Sequence, residues 1–178
     1  MSIKDEDFIR QVFVLNTHDP VLFFTNTGMV YQLKVYKLPL GNPQAKGRPI
    51  INLLPLSEGE QVTTMMPLPE NEDNPPDLMF ATKSGNVRRN PLSDFSNVKS
   101  NGKIAMKLMD EDSLVGVVPC KENEDILLSA SLGKCMRFRS NDVRLFKGRG
   151  SIGVRGIRLK KDDYVISISV LKHIDTDT

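Results

Sequence analysis

The chain has 178 residues, 39% hydrophobic and 26% charged, with 24 Lys and Arg against 22 Asp and Glu, which is ordinary globular composition with enough length to bury a core. No apolar run approaches the roughly 18 residues of a membrane helix, and the first residues are charged, so neither a membrane span nor a secretory leader is expected. Two irregularly placed cysteines, Cys120 and Cys135, exclude a disulfide scaffold and read as reduced, strand-packed thiols of a cytoplasmic protein.

In chain order the dominant feature is an internal repeat. A turn of mostly charged residues between apolar ones occurs at Ile3–Ile9, Leu53–Val62, Leu108–Leu114 and Leu159–Val165, with steps of 50, 55 and 51 residues between the leading positions. A period of that length built from short strands predicts a propeller-like array, in which one unit cannot bury its own apolar face and neighbours must stack on it. After each charged turn comes a β-rich first strand: 9–15, 62–68, 114–120 and 165–171. A second strand leads into a glycine turn at 21–28, 78–85 and 126–133, and a third, more alternating strand carries an apolar residue ten positions past the glycine, at Leu38, Phe95 and Val143. A Gly/Lys/Arg loop and a short fourth strand close each unit at 49–53, 104–108 and 154–159. The reading is all-β: three four-stranded units, about 9–53, 62–108 and 114–159, with 164–171 opening a fourth. That last strand has no hairpin partner after it, so the array is expected to continue past Thr178. Pro91 predicts an edge or shortened third strand in the second unit.

The net charge of +2 conceals a segregation by place in the repeat. Residues 134–161 hold ten bases and one acid, 83–107 six bases and one acid, and 28–48 four bases and none. The acids sit in the repeat-boundary turns and in 70–77 and 122–125. Because one place in the repeat is one place on the array, the third strand and its following loop predict a recurring basic band, with the acidic turns facing another way. Such a stripe fits a polyanion, most simply a nucleic-acid backbone, where a merely solvated surface would not keep register in three units. The bases expected to hold phosphates are Lys34, Lys46 and Arg48, then Arg88, Arg89, Lys99 and Lys103, then Arg137, Arg139, Lys147, Arg149 and Arg155.

Other motifs carry less. Gly148-Arg149-Gly150-Ser151-Ile152-Gly153 matches G-x-G-x-x-G, but 154–159 alternates like a strand where a dinucleotide site needs a helix. His18 and His173 lack ligand-spaced neighbours, and no nucleophile elbow is visible, so no metal and no catalytic residue is expected. Aromatics make up 6%, and Phe23, Phe24, Phe80 and Phe138 fall on core-facing strand positions, which argues against base stacking as the binding mode.

Gly47 to Leu56, Gly102 to Leu108 and Gly153 to Leu159, with Phe8 to Asp19 ahead of them, resemble the blade motifs of the C-terminal domain of bacterial DNA gyrase A. The resemblance implies a β-pinwheel, a propeller relative whose neighbouring blades exchange strands, present here as a partial ring of about half the usual six blades. It implies duplex DNA as partner, wrapped on a basic rim by a bacterial, nucleoid-associated type II topoisomerase that introduces negative supercoils. It also implies the rest of gyrase A, and gyrase B, as partners, and ATP and Mg2+ for the whole enzyme, with no cofactor, no membrane contact and no catalysis in this chain. The family's Gln/Arg/Gly-rich box is missing, with Gln44 to Arg48 a degenerate relative in the next loop. Two alternatives stay open: the equivalent C-terminal domain of topoisomerase IV, and a propeller scaffold whose basic band meets an acidic protein.

Overall fold

A computed structural model describes residues 11–42, 44–68 and 73–174. Strands alternate with tight turns throughout: β1 Pro20–Thr25, β2 Met29–Lys34, β3 Val62–Pro67, β4 Asp77–Thr82, β5 Asn86–Pro91, β6 Lys103–Ile104, β7 Leu114–Cys120, β8 Glu124–Ala130, β9 Cys135–Arg139, β10 Val154–Arg155 and β11 Val165–Lys172. The helical elements among the described residues are short 3-10 turns, three of which follow directly on β2, β5 and β9. The hairpins β1–β2, β4–β5 and β8–β9 are antiparallel, and each turns through a glycine with positive φ: Gly28 at 79°, Gly85 at 89° and Gly133 at 82°. L side chains rarely adopt that conformation, which is why glycine recurs there.

The sheets do not coincide with the sequence units. Their strand orders are β3-β1-β2-β6, β10-β5-β4-β7 and β11-β8-β9. Each sheet takes its hairpin from one unit and its flanking strands from the next, so consecutive units are interlocked by main-chain hydrogen bonds as well as by packing. The strand expected to open a fourth unit follows the same rule: β11 pairs along β8, from Val165 with Ala130 to Lys172 with Glu124. An apolar, β-branched strand finds its ladder on the preceding hairpin, so no later hairpin is needed to hold it.

Other expectations shift in detail. Of the first strand at 9–15, residues 9 and 10 lie outside the described residues and 11–15 form no strand. The fourth strands shrink to two residues in β6 and β10, and 50–52 is a 3-10 turn. Pro91 does not shorten its strand: β5 has six residues, as β2 does, because the proline sits at the terminal pair opposite Asp77, where the chain already leaves for a 3-10 turn. Cys120 is buried, and burial pushes its thiol up to about 12, but Cys135 is exposed, since it lies on a strand with an open edge.

Two apolar layers between sheets hold the array together. Between the first and second, Phe24 meets Phe80 and Phe95 edge-on at centroid distances of 5.6 and 5.7 Å, beside Leu22, Leu78 and Met106. Such edge-to-face pairs contribute roughly 0.5–1.5 kcal/mol each beyond the area they bury. Between the second and third, Met79, Val87, Ile126, Leu128 and Ile157 form the next layer. The first strands β3, β7 and β11 pack beside one another at the inner side of the array. Hence β2 with β6, β5 with β10, and the edge strand β9 lie on the outer side.

Candidate nucleic-acid interface

Sheet order decides where the basic segments go. The loops 96–102 and 147–153 each precede a short strand that docks on the outermost strand of the preceding hairpin, so they sit at the outer edges of successive sheets. Gly102 lies against the Tyr31 ring, where an added Cβ would come within 2.5 Å of Cε1. The loop therefore follows β2 closely. Lys103 leans back along the same loop, its Nζ donating to Asn97 O at 2.7 Å.

The candidate bases separate into three groups. Lys46, Arg48, Lys99, Lys147 and Arg155 are exposed, and no carboxylate of the described residues pairs with them. Lys34, Lys103 and Arg149 are half-buried. Arg89, Arg137 and Arg139 are engaged by the protein itself: Arg89 Nε lies 3.6 Å from Asp77 and its Nη1 donates to Asn141, Arg137 Nε lies 3.6 Å from Asp125, and Arg139 contacts His173 at 2.7 Å. Asp77 and Asp125 are cross-strand register partners of Pro91 and Arg139, so part of the acid stands beside the basic band, contrary to the expected full segregation.

Arg88 is a correction. Its side chain is 0% exposed and cannot reach a phosphate. The alternation of β5 points it inward, over the Phe80 ring at 5.3 Å, and its guanidinium donates to Arg149 O at 2.8 Å, Ser151 O at 2.7 Å and Ala105 O. Burial pushes this guanidinium down to about 10, and Arg149 adds to that while Asp94 opposes it. Arg88 therefore pins the 148–153 loop from inside, and it bears on any ligand only through where it holds Arg149 and its neighbours. Conversely, Arg144 is not among the bases expected from the sequence to hold phosphates, yet it is exposed with Cζ 4.3 Å above Phe146, which supports the side chain as a rim base. The Arg-x-Phe spacing is the available signal.

The acidic turns have a structural job. Glu60 accepts from Thr25 Oγ1 at 2.7 Å, Tyr31 Oη at 3.0 Å and Ser57 N at 2.9 Å. Burial opposes its ionisation, but these donors outweigh it and hold the carboxyl below 4.5. Asp112 grips Ser84 through N and Oγ at 2.9 and 2.6 Å, and Asp163 grips Ser131 Oγ and Leu132 N at 2.9 and 3.0 Å. One carboxylate per repeat thus clasps the hairpin turn of the preceding unit.

No cluster of three or more His, Cys, Asp or Glu occurs among the described residues, and Gly153 runs into the strand β10, not a helix that could seat a phosphate.

A family model described as DNA gyrase C-terminal domain, beta-propeller, matches residues 19–69, 76–121 and 124–172. Each matched segment spans a hairpin and the first strand that pairs with it, while β6 and β10, within the second and third segments, belong to the first and second sheets. The A subunit of DNA gyrase from Rickettsia bellii (strain RML369-C) is 56% identical over 176 residues, covering 98% of this chain and 19% of that protein. The A subunit of DNA gyrase from Escherichia coli (strain K12) is 43% identical over 168 residues, covering 94% of this chain and 19% of that protein. The chain thus spans about a fifth of the length of these relatives. A solved DNA gyrase A C-terminal domain superposes with a TM-score of 0.65 at 28% identity, over 86% of this chain and 48% of that one. The C-terminal domain of DNA topoisomerase IV superposes with a TM-score of 0.86 at 24% identity, over 97% and 53%, and shares the fold. With three matched segments covering most of its length, the chain belongs to the DNA gyrase C-terminal domain, beta-propeller, family.

Proposed function

We propose that this chain binds duplex DNA without sequence preference along its outer rim and bends it, as the wrapping part of a DNA gyrase A protein. The observation that carries the reading is the recurrence of exposed bases at the outer edges of successive sheets: Lys99 by the first, and Lys147 and Arg155 by the second, with the half-buried Arg149 between them. Phosphate contacts position a duplex without reading it, and among the described residues the helical elements are only 3-10 turns, too short to read a major groove. Smooth bending of a 20–30 bp site costs on the order of 1–6 kcal/mol, so several contacts per sheet are needed to offset it. Rigidity matters here: the buried Arg88 holds the 148–153 loop and the carboxylate clasps hold the hairpin turns, so that less ordering is left for the moment of binding.

In this reading catalysis, ATP and Mg2+ belong to other parts of a bacterial, cytoplasmic type II topoisomerase that includes the rest of gyrase A, together with gyrase B. The test is fluorescence anisotropy of random-sequence duplexes across a salt series. Each neutralised phosphate contributes about 0.9 to the slope of log K against log salt, so a slope of several units is expected, equal for unrelated sequences. A salt-independent affinity, or no binding at low salt, overturns the reading and leaves the acidic-protein scaffold. Gyrase and topoisomerase IV remain separated by sequence: the identity to gyrase A proteins supports the former.

A further inference from the structure

Between β9 and β10 the chain runs along the outer edge of β5, which fixes it by main chain and by side chains. Leu145 forms a parallel bridge with Arg89, and the amide of Phe146 donates to Arg89 O at 2.8 Å. Beyond that point the carbonyls are taken by Arg88 and Asn90, both 0% exposed. Asn90 Nδ2 donates to Phe146 O at 3.2 Å and Gly148 O at 2.8 Å, and Arg88 Nη1 donates to Arg149 O at 2.8 Å and Ser151 O at 2.7 Å. Four carbonyls between 146 and 151 are thus drawn toward β5.

A trans peptide unit is planar, with its carbonyl and its amide directed oppositely, and the peptide bonds here are trans. The same four units therefore aim the amides of Lys147, Arg149, Gly150 and Ile152 away from β5. None of these four amides donates to an acceptor among the described residues. Successive outward amides, here 149 and 150, make the concave main-chain donor set that holds anions, and no helix is required for it. Nothing lies within 4 Å of a Cβ built on Gly148 or Gly150, so a ligand can come up to the main chain itself. Charge favours the same kind of ligand. Arg88 lies beneath the loop, with no carboxylate of the described residues paired to it, and Lys147 and Arg155 are exposed at either end. Arg149 Nη1 and Ser151 Oγ are buried without a partner. Asp94, whose charge reaches Arg88, is itself held by Asn90 Nδ2 at 2.8 Å.

We infer that residues 147–152 form a main-chain cradle for one phosphate group, with the amides of Lys147, Arg149, Gly150 and Ile152 as its donors. The site deepens the proposed function and, for its choice of a duplex as occupant, rests on it: the backbone, and not side-chain charge alone, receives a phosphate here. The first sheet lacks the device. Tyr31 and Leu33 stand where Arg88 and Asn90 stand, Tyr31 gives its hydroxyl to Glu60, and the amide of Gly102 turns in to Lys99 O at 3.1 Å. Arg88 and Asn90 hold the carbonyls of the second loop inward, so its amides face out before any ligand arrives. A duplex backbone and free inorganic phosphate present the same chemistry. Exposed Lys147 and Arg155 on an open rim favour the duplex, which carries further phosphates for them.

Two measurements on the whole chain test the cradle. In amide NMR spectra, a short random-sequence duplex is expected to shift the amides of 147, 149, 150 and 152 downfield; inorganic phosphate alone is the second arm. Shifts with the duplex and not with inorganic phosphate assign the site to DNA. Shifts with inorganic phosphate that the duplex does not alter keep the cradle and make the free anion its occupant. Amides unmoved by either ligand overturn the inference. Gly150 lacks the positive φ of Gly148 and Gly153, so alanine fits there, and of alanine and proline only proline lacks the amide. Gly150→Ala is expected to bind duplex as the unaltered chain does, and Gly150→Pro about tenfold more weakly. The slope of log K against log salt is expected to stay unchanged in Gly150→Pro, since an amide releases no counterion, whereas Lys147→Gln lowers it by about 0.9. Equal binding by Gly150→Pro and Gly150→Ala overturns the inference; where proline lowers the melting temperature, the amide shifts of the unaltered chain decide. A chain that binds no duplex yet shows the phosphate shifts overturns the proposed function and leaves the cradle, and a bound duplex that leaves these amides unmoved does the reverse.

Discussion

Replacing Arg88 by alanine separates the two roles open to a base on this array. The side chain is fully buried and supplies donors to Arg149 O, Ser151 O and Ala105 O, so the substitution strands three acceptors and leaves a hole beside Phe80. A buried acceptor left without a donor costs about 1–3 kcal/mol. The bond to Ala105 O is buried and the other two are partly buried, which puts those two near the low end. The total expected is about 3–5 kcal/mol, in line with losing one member of a buried polar cluster. For a domain of this size 1 kcal/mol moves the melting temperature by about 2–4 °C, so a fall of roughly 6–20 °C is expected by circular dichroism or calorimetry. Arg88→Lys keeps the charge but not the fork and should fall in between. Measured below the melting range, the salt slope for duplex DNA should match the unaltered chain, because no phosphate contact is removed. An Arg88→Ala protein of normal stability whose salt slope drops by about one would refute this and return Arg88 to the interface.

Charge reversal of Lys147 or Arg155 is expected to weaken binding to all duplex sequences alike and to lower the salt slope by about 0.9 per contact, whereas Asp110→Lys, on an exposed boundary turn, leaves affinity unchanged or higher; anisotropy titrations check both. Glu60→Gln should destabilise the chain at neutral pH. Because the folded carboxyl titrates below 4.5, its contribution is present above that value and fades as pH falls through the folded pKa, so the denaturation midpoints of the two proteins should converge in acid. Gly102→Ala should cost about 2–4 kcal/mol, from a left-handed backbone at φ 82° plus collision with the Tyr31 ring, while Gly148→Ala, at φ 81° with open space around it, should cost only about 1–2 kcal/mol in the same thermal melts.

Period, strand content and the positions of the hairpins were legible in the chain itself. The recurrence of Gly28, Gly85 and Gly133 after apolar runs is a local matter: a tight antiparallel turn needs positive φ, and the flanking β-branched and aromatic residues need burial. The exposure of Lys99 and Lys147, in loops that run into a glycine, was readable as well. Which strands share a sheet was not legible in strand pattern alone, because an apolar run such as β3 or β7 lies between two hairpins in sequence and only the closed ladders choose the one behind. Nor could charge alone sort the bases. Arg88 and Arg89 are neighbours in sequence, but strand alternation sends one into the core and the other toward Asp77 and Asn141. The acidic turns likewise read as free surface until the third dimension brought Glu60, Asp112 and Asp163 onto the hairpin of the preceding repeat. Residue type sets what a side chain can do; partners some 30 residues away set what these carboxylates do, because a clasp exists only once both of its ends have been folded together.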